Sequence, residues 1–222
     1  MKYWIFILFV FVACQKDEVA IPTYFQINEI GFNDNINGET STSKISDVWF
    51  YVNDQKQGIY EMPCTFPVIG DGTNNIKIFS GIKVNGISAS RDIYPFYESY
   101  DTTLNFIPDS ILSLVPTTKY KQNLNFYSED FDGLGNNFDI SINSDTNFIS
   151  PFPTDSVYGK LSNVGKVILQ NPFLNFEATT FEIDDFPSGG SPVYIELDYK
   201  NNSTFIIGAY VNFSQSVIKL SL

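Results

Sequence analysis

The chain has 222 residues, of which 25 are acidic, 13 are basic and none is histidine, so its formal net charge is −12. Such an acidic chain lacks the basic surface that binding to a phosphate backbone requires, which argues against nucleic acid as a partner. The absence of histidine excludes serine–histidine triads and histidine-bound zinc or iron sites.

The N-terminal residues have the pattern of a secretory leader. Lys2 provides a positive charge, and residues 3–13 are wholly apolar or aromatic. This apolar run is well short of the roughly 20 residues that a membrane-spanning helix needs. A buried core strand with an incidental cysteine is the alternative, although a run that ends in Ala13 and a polar stretch has little use in a core. We therefore predict a signal peptide over residues 1–13.

The residues around Cys14 resemble the signals of bacterial lipoproteins. Residues 11–14, Phe-Val-Ala-Cys, resemble the lipobox, in which the cysteine is diacylated and becomes the first mature residue. The resemblance implies lipidation of Cys14, a tether over residues 14–22 and an outer-membrane location facing the cell exterior. Retention on the periplasmic side is the alternative. The residues that resemble the export signal of Bacteroidetes surface lipoproteins are Gln15, Lys16, Asp17 and Glu18.

The rest of the sequence predicts an all-β protein. Aromatic residues make up 16% of the chain, and turn-forming residues separate short alternating segments. Asn53-Asp54 predicts a tight hairpin turn, and Trp49, inside a predicted strand, is expected in the core. Residues 111–115 have some helical potential but are closed by Pro116. The predicted strands lie near residues 24–30, 48–52, 75–79, 104–106, 124–127, 138–142, 166–169, 179–183, 193–199 and 205–211.

Two β-sandwich domains in tandem are the predicted architecture. The strand pattern pauses at residues 115–120, which divides the chain behind the leader into two parts of about a hundred residues each. Short strands with turn signals about every 8 to 12 residues are typical of sandwiches. The first domain is predicted over residues 23–118 and the second over residues 119–222.

Each predicted domain contains segments that resemble a known domain class. In the first, residues 48–54, 58–60 and 63–67 resemble the PEGA-type small extracytoplasmic β-sandwiches, which are generally accessory and non-enzymatic. In the second, residues 127–133 and 193–200 resemble the jelly-roll domains of carbohydrate-binding and concanavalin-like type. This resemblance implies a jelly-roll-like second sandwich. Its last strand is the apolar C-terminal segment, unless the chain is incomplete there.

A cluster of oxygen-bearing side chains surrounds two glycines in the second domain. Calcium takes six to eight oxygen ligands, and closely spaced Asp and Asn with intervening Gly let one loop wrap the ion. The segment resembles the Asp-x-Asp-Gly-x-Gly loops of calcium-stacked extracellular repeats, which implies structural calcium as the one candidate cofactor. An ordinary polar turn is the alternative. The candidate ligands are Glu129, Asp130, Asp132, Asn136 and Asp139.

The richest aromatic stretch, residues 94–100, is a candidate ligand-binding surface. Exposed tyrosines can stack on sugar rings or contact a protein partner, because they offer a large area at low entropic cost together with a polar tip. The candidate ligand-binding residues are Tyr94, Tyr97 and Tyr100. Packing of the same side chains into the sandwich is the alternative.

Three tripeptides resemble the O-glycosylation sequence that Bacteroidetes use on exported proteins. Each places a hydroxyl residue directly after an aspartate. The acceptor residues would be Thr102, Ser110 and Ser156.

The sequence predicts no active site. Four carboxylates could act as a glycosidase pair only if two of them faced each other across a cleft. Cys64 lies among apolar residues with no adjoining base and is expected to be a small core hydrophobe. We therefore expect a non-enzymatic protein. The four carboxylates are Glu177, Glu182, Asp184 and Asp185.

Binding at the cell surface is the expected function, with a polysaccharide or glycoprotein as the ligand and the lipid anchor as the membrane attachment. A structural or adhesion protein that docks another envelope protein is the alternative, and a glycoside hydrolase comes third. Two or three exposed aromatic side chains on one sheet face would favour glycan binding.

Overall fold

The computed structural model describes most of the chain from residue 20 onward. The described residues are 20–33, 42–150, 152–157, 160–183, 187, 189–211 and 216–221. The predicted signal peptide, Cys14 and the export-signal residues 15–18 lie outside them. Within the described ranges, no helix is long and apolar enough to cross a bilayer.

The described part of the chain is all-β, as the sequence predicts. The helical structure among these residues is a single 3-10 turn, Val84–Gly86. The strands are β1 (Thr23–Ile27), β2 (Gly31–Phe32), β3 (Asp47–Val52), β4 (Gln55–Glu61), β5 (Cys64–Val68), β6 (Gly72–Lys83), β7 (Arg91–Ile93), β8 (Tyr100–Phe106), β9 (Ile111–Leu114), β10 (Thr117–Thr118), β11 (Phe138–Ile140), β12 (Thr154–Val157), β13 (Lys160–Asn163), β14 (Ala178–Thr180), β15 (Ile206–Val211) and β16 (Ser216–Ser221).

Two sheets in the N-terminal half pack face to face as a β-sandwich. In the three-stranded sheet, β1 pairs antiparallel with β5 and parallel with β9. In the five-stranded sheet, β3 lies between β4 and β6. The 12-residue β6 is long enough to pair with two further strands, β8 along its first part and β7 at its end. A short parallel pair, β2 with β10, completes this half.

The core between these sheets is built around phenylalanines. Phe25 on β1 is 0% exposed, and its ring centre lies 4.8 Å from that of Phe50 on β3 and 5.2 Å from that of Phe106 on β8. Phe66 on β5 closes the cluster, with its ring centre 5.0 Å from that of Phe50. Burying one such side chain stabilises the fold by about 1.5–3 kcal/mol, and each aromatic pair adds about 0.5–1.5 kcal/mol. These rings hold the two sheets together.

The hairpin between β3 and β4 turns where the sequence predicts. Asn53 and Asp54 have φ values of 49° and 62°, and Val52 pairs directly with Gln55. Two consecutive residues in the left-handed region define the type I′ turn, whose twist matches that of the flanking strands. The expectation for Asn53-Asp54 is therefore confirmed.

The segment with helical potential is a strand. Residues 111–114 form β9, which pairs in parallel with β1. Leu112 and Leu114 pack against the core, while Ile111 is exposed. This alternation has the two-residue period of a strand. Because the segment is short, its pairing with the edge of β1 determines that it forms a strand and not a helix.

The second half of the chain has a different organisation from the first. Its described strands form three separate pairs, β11 with β14, β12 with β13, and β15 with β16. From residue 119 onward, no described side chain is buried. The predicted second sandwich is therefore not confirmed. Among the strands predicted there, residues 124–127, 166–169 and 193–199 are not in strands, although 193–199 has clear alternation.

Ion pairs connect four strands on the side of the five-stranded sheet that faces away from the core. Asp47 on β3 is fully buried, and its carboxylate accepts a hydrogen bond from Arg91 on β7. Arg91 also donates to Glu61 on β4 at 2.6 Å, and Lys83 Nζ donates to the same carboxylate at 2.7 Å. Hydrogen bonds from Lys83 and Arg91 lower the pKa of Glu61 from 4.5 to about 2.

These ion pairs predict a pH-dependent contribution to stability. Because the folded-state pKa of Glu61 is below its ordinary value, its stabilising effect is present above pH 4.5 and is lost as the pH falls towards about 2. We expect Glu61→Gln to be less stable than the wild type at neutral pH and equally stable near pH 2. Urea unfolding of both proteins across this range measures the difference, and a pH-independent difference would contradict the prediction.

Candidate functional site

Strand β3 carries apolar side chains on both of its faces. Val48, Phe50 and Val52 point into the core and are buried. Because strand side chains alternate, Trp49 and Tyr51 lie on the opposite, outer face of the sheet, and both are half-buried. The expectation that Trp49 is a core residue is therefore wrong.

Neighbouring strands extend this apolar surface. Trp49 lies directly opposite Phe79 on β6 and Ile59 on β4, so all three side chains share the outer face. The ring centres of Tyr51 and Phe79 are 5.4 Å apart in an edge-to-face arrangement, and Ile59 is 40% exposed. We call the surface formed by Trp49, Tyr51, Ile59 and Phe79 the outer aromatic face.

Gly81 on β6 makes room for the indole of Trp49. A Cβ atom at position 81 would lie 2.8 Å from Trp49 Cδ1 and Nε1 and 2.8 Å from Asp47 Cβ. Real Cβ atoms do not approach other atoms so closely, so the indole can rest there only because residue 81 is glycine. Trp49 Nε1 is itself buried and has no hydrogen-bond partner among the described residues.

Charged side chains surround the outer aromatic face. Lys77 Nζ lies 3.0 Å from Asp54 and 3.7 Å from Asp101, and these contacts, the Asp54 hydrogen bond first, raise the pKa of Lys77. Lys56, on β4 directly opposite Tyr51, has its Nζ 5.3 Å from the centre of the Trp49 ring, within cation–π range. The face thus combines rings with groups that can make polar contacts.

The tyrosines that the sequence singles out have a packing role. Tyr94 is 4% exposed and Tyr97 is 5% exposed, so neither offers a ring face to a ligand. Tyr100 is half-buried against the core. The ring centre of Tyr97 lies 5.1 Å from that of Tyr120 and 4.4 Å from that of Tyr94. The sequence allows packing of these side chains as the alternative to ligand binding, and the structure shows that Tyr94 and Tyr97 are packed.

The same tyrosines fasten a distant segment of the chain to the sandwich. The hydroxyls of Tyr94 and Tyr120 both donate to the carboxylate of Glu196, the latter at 2.8 Å. Burial is the main cause that raises the pKa of both tyrosines, and the Glu196 carboxylate adds to it. The ring of Tyr194 packs edge-to-face on Tyr94, with centres 5.2 Å apart.

The predicted calcium loop forms an open cleft of about 360 Å³. Glu129 accepts hydrogen bonds from the backbone N–H groups of Phe131 and Asn137, at 2.8 and 2.6 Å. Asp130 accepts one from Asp132 N at 2.9 Å. Hydrogen bonds of this kind are typical of a polar turn. Among the described residues, no group of three or more Asp, Glu, Cys or His side chains is placed to hold a metal ion.

The remaining candidate ligands complete the loop without settling its role. Asn136 accepts a hydrogen bond from Phe138 N at 2.8 Å, and Asp139 is exposed on β11. A calcium ion bound by Glu129, Asp130, Asp132, Asn136 and Asp139 therefore stays a prediction.

The three candidate glycosylation residues differ in accessibility. Ser156 is exposed on β12, whereas Thr102 on β8 is half-buried and pairs with the buried Ile76. The hydroxyl of Ser110 donates to the carbonyl of Ile107 at 2.6 Å. Modification at Thr102, Ser110 or Ser156 stays a prediction.

The residues considered for catalysis differ in exposure. Glu177 and Glu182 are exposed, and Asp184 and Asp185 lie outside the described residues. Cys64 is half-buried, its Sγ donates to the carbonyl of Ile27 at 3.6 Å, and burial raises the pKa of the thiol. A raised pKa leaves the thiol protonated at neutral pH and disfavours a nucleophilic role.

The contact between Gly81 and Trp49 predicts a position-specific effect of a single methyl group. We expect Gly81→Ala to destabilise the protein by about 1–3 kcal/mol, because the indole or β3 must shift to admit the Cβ atom. In a protein of residues 15–222 the sole tryptophan is Trp49, so its fluorescence reports the shift directly. Gly135→Ala is the matched control, since no atom lies within 4 Å of that Cβ position. Equal urea midpoints for the two variants would contradict the prediction.

Comparison with known proteins adds no relative from which a function could be transferred. No protein-family model matches the chain, and no curated protein or solved structure shows significant similarity to it. The functional argument therefore depends on the residues and geometry of this chain alone.

Proposed function

We propose that this protein is a lipid-anchored, non-catalytic glycan-binding protein that presents its outer aromatic face at the cell exterior. One observation carries the proposal. Trp49, Tyr51 and Phe79 lie side by side on the outer side of a five-stranded sheet, with Ile59 exposed beside them.

Aromatic rings on a rigid sheet suit the chemistry of carbohydrate recognition. A sugar ring has apolar C–H faces that pack on an aromatic ring, while its hydroxyls need hydrogen-bonding partners around the edge. Asp54 and Asp101 provide such groups beside the rings, since a carboxylate paired with Lys77 can still accept further hydrogen bonds. Since the rings are fixed by strand pairing, little conformational entropy is lost when a ligand binds.

The N-terminal sequence supports a surface location for this binding face. Two acyl chains on Cys14 would anchor the protein stably, because each buried methylene contributes about 0.8 kcal/mol and a single chain binds only marginally. The acidic tether that follows would hold the folded part away from anionic headgroups, which repel a chain with a net charge of −12. A docking role towards another envelope protein is the competing proposal for the same face.

The proposal predicts loss of glycan binding when the rings are removed. We expect residues 15–222, produced without lipid, to bind members of a glycan array, and Trp49→Ala and Tyr51→Ala each to weaken binding at least about tenfold. Tyr210→Ala is the matched control, because Tyr210 is 69% exposed on β15, outside the face. Unfolding midpoints establish that each variant is folded.

Two outcomes of this experiment would count against the proposal. Glycan binding that survives both substitutions would place the site elsewhere on the protein. An array without any bound glycan would favour the docking of a protein partner.

The proposed location predicts a specific response to protease treatment of intact cells. We expect the wild type to be degraded from the outside without lysis, and Cys14→Ser to leave the membrane fraction because it cannot be acylated. If the wild type survives on intact cells and is cut only after lysis, the protein faces the periplasm and the exterior location is wrong.

A further inference from the structure

Most of the positive charge near the outer aromatic face is already neutralised. Lys77 lies within 4 Å of both Asp54 and Asp101. Lys83 pairs with Glu61, and Arg91 pairs with Glu61 and the buried Asp47. Each of these three cations is held by a carboxylate on another strand or on a turn, so none is available to a ligand without breaking an existing ion pair.

Lys56 is the exception. Among the described residues, its ammonium group lies within ion-pair distance of no carboxylate, and it is 5.3 Å from the centre of the Trp49 ring. The strand register explains this position. A β-bulge shifts the β3–β4 pairing between Phe50 and Tyr51, so Lys56 stands directly across from Tyr51 on the outer face.

We propose that the ligand of the outer aromatic face is a carboxylate-bearing sugar, such as a hexuronate residue within an oligosaccharide. Its ring would pack against the aromatic side chains, and its carboxylate would pair with Lys56. This inference rests on the proposed glycan-binding function and specifies its ligand class. An ammonium group placed against a ring lies within reach of a carboxylate on a sugar stacked there.

The charges around the outer aromatic face favour a ligand with one carboxylate over a ligand with several negative charges. Asp54 and Asp101 share the single cation Lys77, which leaves one net negative charge beside the face, and this charge would repel a phosphate or a multiply sulfated sugar more strongly than a singly charged one. At physiological ionic strength, charges more than about 8 Å apart are largely screened, so the local pairing with Lys56 outweighs the net charge of the distant surface. Oligosaccharides that carry few uronate residues are therefore expected to bind better than highly charged polyanions.

The test uses an array with matched neutral, carboxylated and sulfated members of the same sugar backbones. We expect the wild type to prefer the carboxylated members by about two- to fivefold, the range for an exposed ion pair, and the preference to shrink as salt is raised. Lys56→Gln should bind neutral and carboxylated members equally. Lys119→Gln is the matched control and should keep the preference, because Lys119 pairs with Glu98 and lies outside the strands that form the outer aromatic face.

The outcomes separate this inference from the function on which it rests. Equal binding of neutral and carboxylated members by the wild type would overturn the inference and leave glycan binding intact. A preference that persists in Lys56→Gln, or tighter binding of the sulfated members, would also overturn it. Failure of the wild type to bind any member would overturn the proposed function itself.

Discussion

The central strand β3 is the constraint on which the rest of the sandwich depends. Its inner side chains meet the phenylalanine core, and its outer side chains form the centre of the outer aromatic face. A slip of one residue would exchange the two sets, so that Trp49 would enter the core and Phe50 would face solvent. The type I′ turn at Asn53-Asp54 fixes the pairing with β4 and prevents that exchange.

The outer side of the same sheet is divided between ion pairs and rings. At one end, the buried carboxylate of Asp47 is held by Arg91, and removing Arg91 would leave that buried carboxylate without its ion-pair partner, which is strongly destabilising. On the neighbouring strand β6, Gly81 leaves the space in which the indole of Trp49 lies. The stability of the sheet and the shape of the proposed binding face thus both depend on β3, because this strand carries Asp47 as well as Trp49.

Local patterns predicted the central strands of the first half, but they did not predict β9 or the outer aromatic face. Alternation and turn chemistry located β3, the hairpin turn and β6, since these depend on neighbouring residues in sequence. The stretch 94–100 was singled out for its tyrosines, yet Tyr94 and Tyr97 are buried. Tyr51 and Phe79 were missed, although residues 48–52 are apolar on both faces. That pattern signals a strand with an apolar surface on its outer side as well.

The sequence by itself determined that the protein is all-β, that it lacks histidine chemistry and where its first hairpin turns, because composition, period and turn residues act locally. The tertiary structure decided which face of each strand is covered, since burial depends on which strands pair and what packs on them. Residues 193–199 illustrate the difference: they alternate like a strand, but they have no strand partner among the described residues and form no strand. The outer aromatic face likewise arises only when β3, β4 and β6 are brought side by side.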